Sequence, residues 1–578
     1  MSRLNDSFTL MEISMNEFRI DKLLFSSGQK IELEANSVTI FIGANSSGKS
    51  SALREIFQKL QGADNIYRVI QEITTFTTGD EDEWQNWLQS NFLSSVVNGE
   101  VRYKTLGSEI SPNRFTSSIL NKNFPPLVNF LVRLLDTETR LSLTRPVTRI
   151  DLLAGGLQHA FHIIQQDDKK LEIISKVLQS TFGKEFMLDH GNQEIGAYVG
   201  KEPERTRERD RISKEYIIAL RKETRLEMDG DGIRSFVACL LATQCTPNKV
   251  FLIDEPEVFL HPPQARRLGQ IMAEIALEEK RQIIIATHST DIIKGALSIQ
   301  EGKVSICRID LVNNQNNVYS LNNKELRDLW SKPLLKSTDA IQGAFHKGVV
   351  VCEADADCRF YEGILISLDK EAIDLHFVHG GGKGELATLA HSYKRLHVPT
   401  AVIADFDILR NKKELEKLVK SLGGDFHPLE SIYKEAMSNL NSLAPSQDRT
   451  SVSKTLHELA DKIKSGEKKI SSETIEEISE LLQDGREWSR PKKHGIDAFN
   501  GGANLACQQL LDTLAKIGLF VVPIGEMEGW ARSLPSNKNE WIKEALNKID
   551  SDPKSFENTR DFVRRVVQYL SSGISETD

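Results

Sequence analysis

Short apolar runs, each closed by a glycine or a polar residue and followed by a more polar stretch, recur along this chain. "SVTIFI" (Ser37–Ile42) precedes a glycine-bearing loop and a helix beginning near Ser50. Val250 to Ile253 form a second run that ends at Asp254 and Glu255, and "RQIIIATHSTDII" holds a third that ends at His288. Continuous apolar runs between turn signals predict strands buried on both faces. "KVSICRIDLVNNQNNVYSL" carries two β-like runs around an Asn-rich turn and predicts a hairpin.

A new β-α rhythm starts at "HKGVVVCEADADCRFYEGIL", where Val349 to Val351 form a short strand with Glu353 at its C-terminal end. "DLHFVH" runs into the loop "GGGKGE" (Gly380–Glu385); a helix follows, then "TAVIADFD", a strand ending in Asp405 and Asp407. This predicts a parallel, doubly wound sheet with carboxylates at the edge where such sheets place their sites. "PPLVNFLVRLLDTETRL" and "PERTRERDRISKEYIIALRKETRLEM" predict a compact helical insert over about 60–225. "RDLWSKPLLKSTDA" reads as a connector, within about 326–345. A helical, charged insertion is expected over about 412–515, including "SSETIEEISELLQDGREW" with a cap candidate at Ser471 to Thr474.

Composition narrows the class. At 578 residues, two to four domains are expected. Hydrophobic residues at 39% and charged residues at 27% are globular values. No apolar run approaches the ~18 residues of a membrane span, and "MSRLNDSFTLMEISMNEF" has no signal-peptide core, so a cytoplasmic protein without membrane partners is expected. Cys239, Cys245, Cys307, Cys352, Cys358 and Cys507 form no C-x-x-C pair, which points to reduced thiols. A net charge of −9 argues against broad electrostatic coating of DNA, though local patches and metal ions can still supply a positive field.

The loop after Ser37–Ile42 fits G-x-x-x-x-G-K-S from Gly43 to Ser50. Backbone N–H groups of such a loop, with Asn45, Gly48 and Ser51 within or beside it, face phosphate oxygens. Lys49 then reaches the β- and γ-phosphates, and Ser50 places a hydroxyl on Mg²⁺. Asp254 at a strand end suits the same Mg²⁺ shell, Glu255 suits a base that polarises the attacking water, and His288 suits a γ-phosphate contact. ATP is the expected nucleotide. The ordered trio resembles ABC-type ATPases, and more closely the SMC, Rad50 and RecF branch. "DEPE..LHP" looks like that branch's Walker B and D-loop, and "THS" like its switch histidine. "DGDGIRSFVACLL" (Asp229–Leu241) stands at the spacing of the signature motif but departs from L-S-G-G-Q. The resemblance implies ATP held between two heads, hence at least a homodimer. The insert has neither sustained heptads nor a zinc hook. Its basic residues between Arg205 and Arg225 are open to DNA contact, with a solvated helix face the commoner outcome.

In the second half, D-x-D alone would read as helix caps. Glu353 and D-F-D, each after its own strand with a glycine loop between them, point instead to divalent metal chemistry. Two ions about 4 Å apart would clamp the attacking and leaving oxygens of a phosphodiester. The pattern resembles Toprim domains, with Glu353, Asp405 and Asp407 as the shared acids and Asp357 as the nuclease branch's extra one. An ABC-type head over about 1–325 followed by Toprim over about 346–578 resembles OLD-family nucleases, including Gabija GajA-like and retron-associated members. The expected fold class is therefore α/β: an ABC-type P-loop ATPase head with a helical insert, then a Rossmann-like Toprim domain with a helical insertion. The resemblance implies that Glu526 and Glu528, in "LFVVPIGEMEGW", join the metal site. It implies that Lys538 is the catalytic lysine, with Lys543 as competitor. It further implies two Mg²⁺ or Mn²⁺ ions, DNA as substrate, a role in bacterial antiphage defence, and a helicase-like partner or a retron reverse transcriptase with its DNA–RNA product. The basic loop "RPKKHG" is equally open to DNA contact and to no such role. Two rivals remain open: a RecF-like DNA-binding ATPase with a non-catalytic Toprim module, and an RNA-directed Toprim nuclease.

Overall fold

The computed structural model describes residues 16–63, 65–92, 94–97, 99–105, 108–149, 159–204, 211–330, 339–368, 374–438, 449–465, 488–535 and 537–575. The chain divides into two compact units, Met1–Asp328 and Leu329–Asp578. The cap candidate at Ser471 to Thr474, part of the basic stretch after Arg205 and most of the expected connector lie outside the described residues.

Unit 1 opens with strands β1 (Phe18–Phe25) and β2 (Lys30–Glu32), then β3 (Ser37–Ile42), helix α1 (Lys49–Leu60) and β4 (Ile70–Thr77). It continues with β5 (Val132–Leu135), α2 (Thr137–Ser142), α3 (Asp231–Cys245), β6 (Val250–Asp254) and α4 (Pro262–Glu278). β7 (Gln282–Ala286), α5 (Thr290–Leu297), β8 (Lys303–Val312) and β9 (Gln315–Leu321) complete the set that builds the site. The main sheet has the order β9-β8-β3-β7-β6-β5, with all neighbours parallel except the β8–β9 hairpin. β3, β6 and β7 are buried along their whole length, as their unbroken apolar runs require. The hairpin turns at Asn313 and Asn314, both at positive φ, the backbone a two-residue turn needs.

The segment expected to be a helical insert is mixed α/β, which corrects that reading. β4 pairs with β1 in an antiparallel sheet, and further strands include Ser94–Val97, Glu100–Thr105 and Glu185–Leu188. "PPLVNFLVRLLDTETRL", expected to be helical, contributes β5 to the main sheet, in register with Val250 to Ile253. A short, mostly apolar run such as "VRLL" does not distinguish a buried strand from a buried helix turn, and here pairing beside β6 decides. The expected connector also begins inside a helix, Asn323–Trp330.

Unit 2 carries β10 (Gly348–Cys352), α6 (Asp355–Ile366), β11 (Leu375–His379), α7 (Lys383–Arg395) and β12 (Thr400–Ala404). After a helical stretch come α8 (Gly501–Ile517), β13 (Leu519–Val521), α9 (Lys538–Ser551) and α10 (Glu557–Ser575). The sheet is parallel throughout, in the order β11-β10-β12-β13. From β10 the chain goes to one side for β11, then returns to the other side for β12. The loops after β10 and β12 therefore diverge and leave a crevice at their C-terminal ends. Phe360, Tyr361, Trp541, Phe556 and Val566 pack with Val350, Ile403 and Phe520 to form the core beneath it.

Candidate functional site

In unit 1 the phosphate loop is fixed from two directions. Gly43 sits at φ +140°, and a Cβ there would lie 2.2 Å from the Ile309 carbonyl oxygen of β8, so only glycine fits. From β9, Asn316 Nδ2 donates to the Ser47 carbonyl at 2.6 Å. Asn45 is exposed on the loop, Ser50 is half-buried in the first turn of α1, and Ser51 is exposed beside it. Lys49 is buried, and its ammonium donates to the carbonyls of Gly43 (2.8 Å) and Ala44 (2.9 Å). Burial pulls its pKa down to about 8 against the pull of Glu255 and Asp254.

Asp254 ends β6 and is buried, and its Oδ1 has no hydrogen-bond partner among the described residues. A buried carboxylate oxygen so left suits a cation, which is how this donor set fits Mg²⁺ beside Ser50. Glu255 follows at φ 45°, with its N–H bonded to Ala286 O at 2.8 Å. His288 Nε2 lies 3.8 Å from Glu255 Oε1, and burial, then Lys49, lowers the imidazole pKa. Gly48, Lys49, Ser50, Asp254, Glu255 and His288 thus all lie at the C-terminal ends of β3, β6 and β7.

Two residues that the sequence did not single out hold this edge. Glu257 is half-buried and accepts from Thr287 Oγ1 (2.6 Å) and the His288 N–H (2.8 Å), tying the loop after β6 to the loop after β7. Arg140 of α2 is wholly buried. It donates to the carbonyls of Asp254, Glu255 (2.9 Å) and Leu135 (3.3 Å) and to Ser235 Oγ of α3 (3.2 Å). The signature-like segment around Gly232 begins α3, against the Phe259 carbonyl.

In unit 2, Glu353 follows β10, and Asp405 and Asp407 follow β12. One ligand oxygen from each comes within 4.8 Å of the others. The Asp405 N–H donates to Glu353 Oε1 at 3.0 Å, joining the two strand ends. Burial raises the Glu353 pKa against Lys383, and neighbouring Asp407 and Asp357 add to the rise. Burial also raises Asp405, with Glu353, Asp357 and Asp407 repelling its charge.

Asp357 is buried in the first turn of α6, where its Oδ2 accepts the Ala354 N–H at 3.0 Å. Lys538, first residue of α9, lies 3.2 Å from Asp357 Oδ1 and 4.0 Å from Glu528 Oε1. Glu526 pairs instead with Lys492 of "RPKKHG" at 3.3 Å. Asp355 is exposed and pairs with Arg359 of its own helix. Lys383, in the glycine loop but not singled out from sequence, pairs with Asp407 and lies 3.9 Å from Glu353 Oε2.

Residues 54–294 match the family described as AAA domain, putative AbiEii toxin, Type IV TA system. No curated protein matches the chain. Among solved structures, the chain is similar to an Smc head domain with an extended coiled coil from Pyrococcus furiosus. The identity is 13%, 55% of this chain and 99% of that one are covered, and the TM-score is 0.31. It is similar to the SMC head domain from Thermotoga maritima, at 14% identity, 53% and 99% coverage and a TM-score of 0.29. It is also similar to cbiO1 from Clostridium perfringens, part of an ABC transporter complex, at 14% identity, 54% and 90% coverage and a TM-score of 0.27. Among the described residues no helix is long and apolar enough to cross a membrane. The first unit has an α/β fold with a mainly parallel sheet behind its G-x-x-x-x-G-K-S loop, and residues 54–294 within it match that AAA-domain family.

Proposed function

We propose that this chain is an ATP-regulated, divalent-metal-dependent Toprim endonuclease of the OLD-family kind, cutting DNA in bacterial antiphage defence. The observation that carries the reading is the meeting of Glu353, Asp405 and Asp407 within 4.8 Å at the crevice between β10 and β12. Three carboxylates so close repel one another, and an all-oxygen donor set of this kind suits Mg²⁺ or Mn²⁺. Bound there, divalent ions supply an activated water and stabilise the leaving oxygen of a phosphodiester. Glu353, Asp405 and Asp407 hold the ions, and Asp357, Glu526 and Glu528 enlarge the acidic wall. Lys538, steered by Asp357 and Glu528, steadies charge on the scissile phosphate.

In the head, Gly43 to Ser51 cradle the phosphates of ATP, and Lys49 leaves the loop carbonyls for phosphate oxygens. Asp254 and Ser50 hold its Mg²⁺, Glu255 orients the attacking water, and His288 reads the γ-phosphate. The nucleotide state of a head dimer regulates cutting by the second unit. The matched family's description as a putative toxin is in keeping with a genome-conflict role. Helicase-like or reverse-transcriptase partners belong to the same proposal.

The test is plasmid cleavage with Mg²⁺ or Mn²⁺ by the intact chain, Glu353→Ala and Asp405→Ala, each with and without ATP. Metal-dependent cutting that disappears in both variants is expected. Metal-dependent cutting that persists in both variants would sink the assignment of the site. A second reading is a DNA-binding ATPase whose second unit is not catalytic. It is favoured by the family match, which covers only residues of the first unit. DNA-stimulated ATPase activity with no cleavage of plasmid, single-stranded DNA or tRNA would select it.

A further inference from the structure

Six carboxylates surround the crevice of unit 2, and three lysines reach them. Lys492 and Lys538 pair with the outer acids Glu526, Asp357 and Glu528. Among the described residues, only Lys383 pairs with the central triad, through Asp407 and, at 3.9 Å, Glu353. Its position is unusual on electrostatic grounds. Lys383 opens α7, and a cation in the first turn of a helix opposes the helix dipole. The carboxylates offset that cost, so the ammonium stands where a cation held by the same oxygens would stand.

We propose that Lys383 is the internal counter-ion of the triad. It offsets part of the acids' charge until a divalent cation replaces it, and its released ammonium then pairs with a phosphodiester oxygen of the substrate. This rests on the metal-site reading above. The exchange leaves each charge with an opposite partner: the divalent ion takes the carboxylates, and the phosphodiester takes the ammonium. The side chain is 30% exposed, and a four-carbon stem with three rotatable donors allows the swing. The helix start that disfavours a lone cation favours the same anion.

The experiment is Mn²⁺ titration of the full chain without nucleotide, followed by the EPR signal of free Mn²⁺. Wild type, Lys383→Met and Asp405→Asn are compared. Lys383→Met is expected to bind Mn²⁺ roughly tenfold more tightly, the scale of one charge interaction in a half-buried site. The same variant is expected to bind a DNA duplex more weakly in Ca²⁺. Asp405→Asn is expected to lose Mn²⁺ affinity. Unchanged or weaker Mn²⁺ binding by Lys383→Met, with Asp405→Asn impaired, would overturn the inference alone. Wild-type binding by Asp405→Asn would overturn the metal site, and the inference with it.

Discussion

Asp405→Asn should make unit 2 more stable, although it removes a central carboxylate. Asp405 is withdrawn from water and faces Glu353, Asp357 and Asp407, so its charge is disfavoured in the folded chain and its pKa lies well above its ordinary value near 4. The sign follows from proton counting. A carboxyl with a raised folded pKa binds more protons folded than unfolded, so its destabilisation is absent below pH ~4 and grows as pH rises toward the folded value. Two like unit charges about 5 Å apart at an effective dielectric of about 20 repel by roughly 3 kcal/mol. For a unit of this size that corresponds to a melting shift of roughly 5–10 °C. Asparagine keeps the shape and removes the charge. The assay is differential scanning calorimetry of the full chain in EDTA at pH 4.5 and pH 8. Asp405→Asn should melt higher at pH 8, by a margin that shrinks at pH 4.5. Adding Mg²⁺ should raise the wild-type transition and leave the variant's nearly unchanged. If the variant melted at or below wild type at pH 8 in EDTA, charge repulsion would not dominate the site and the reasoning would fail.

Two further predictions concern the head. Lys49 carries a pKa of about 8 while it caps its own loop; triphosphate binding should raise it, so ATP binding near pH 8 should take up a fraction of a proton. Calorimetry in buffers of different ionisation enthalpy reads that uptake, and a buffer-independent heat would refute it. Arg140→Met leaves the Glu255 carbonyl and Ser235 hydroxyl without their buried donor, at a cost on the order of 3 kcal/mol. It should lower kcat for ATP more than it weakens binding of a fluorescent ATP analogue, and an equal loss in both would point to simple unfolding of the head.

The strands that bear the chemistry were legible because each is a largely apolar run that stops abruptly, at Gly43 after Ile42, at Asp254 after Ile253 and at Asp405 after Ala404. Parallel strands buried on both faces leave that pattern and few others. β5 was not legible: "VRLL" lies inside a longer apolar stretch whose helical and extended readings are equivalent until β6 lies beside it. Arg140, Glu257 and Lys383 escaped for another reason. A single arginine, glutamate or lysine carries no spacing signal, and its role arises from partners far along the chain, as with Arg140 and Ser235, 95 positions apart. Lys538 was accessible only through family resemblance, because nothing in "SNKNEW" distinguishes it from a solvated lysine.

The acids of unit 2 hang from two kinds of support. Glu353, Asp405 and Asp407 follow β10 and β12, the inner strands, each flanked by a partner on both sides. Glu526, Glu528 and Lys538 come from the segment after the edge strand β13, and Lys492 from the short helix Ser489–His494 before it. A lineage can therefore redraw the second group without disturbing the sheet, while drift in the first is felt by the core. Under the proposed function, substrate preference is free to diversify on a chemistry that the fold itself keeps from wandering.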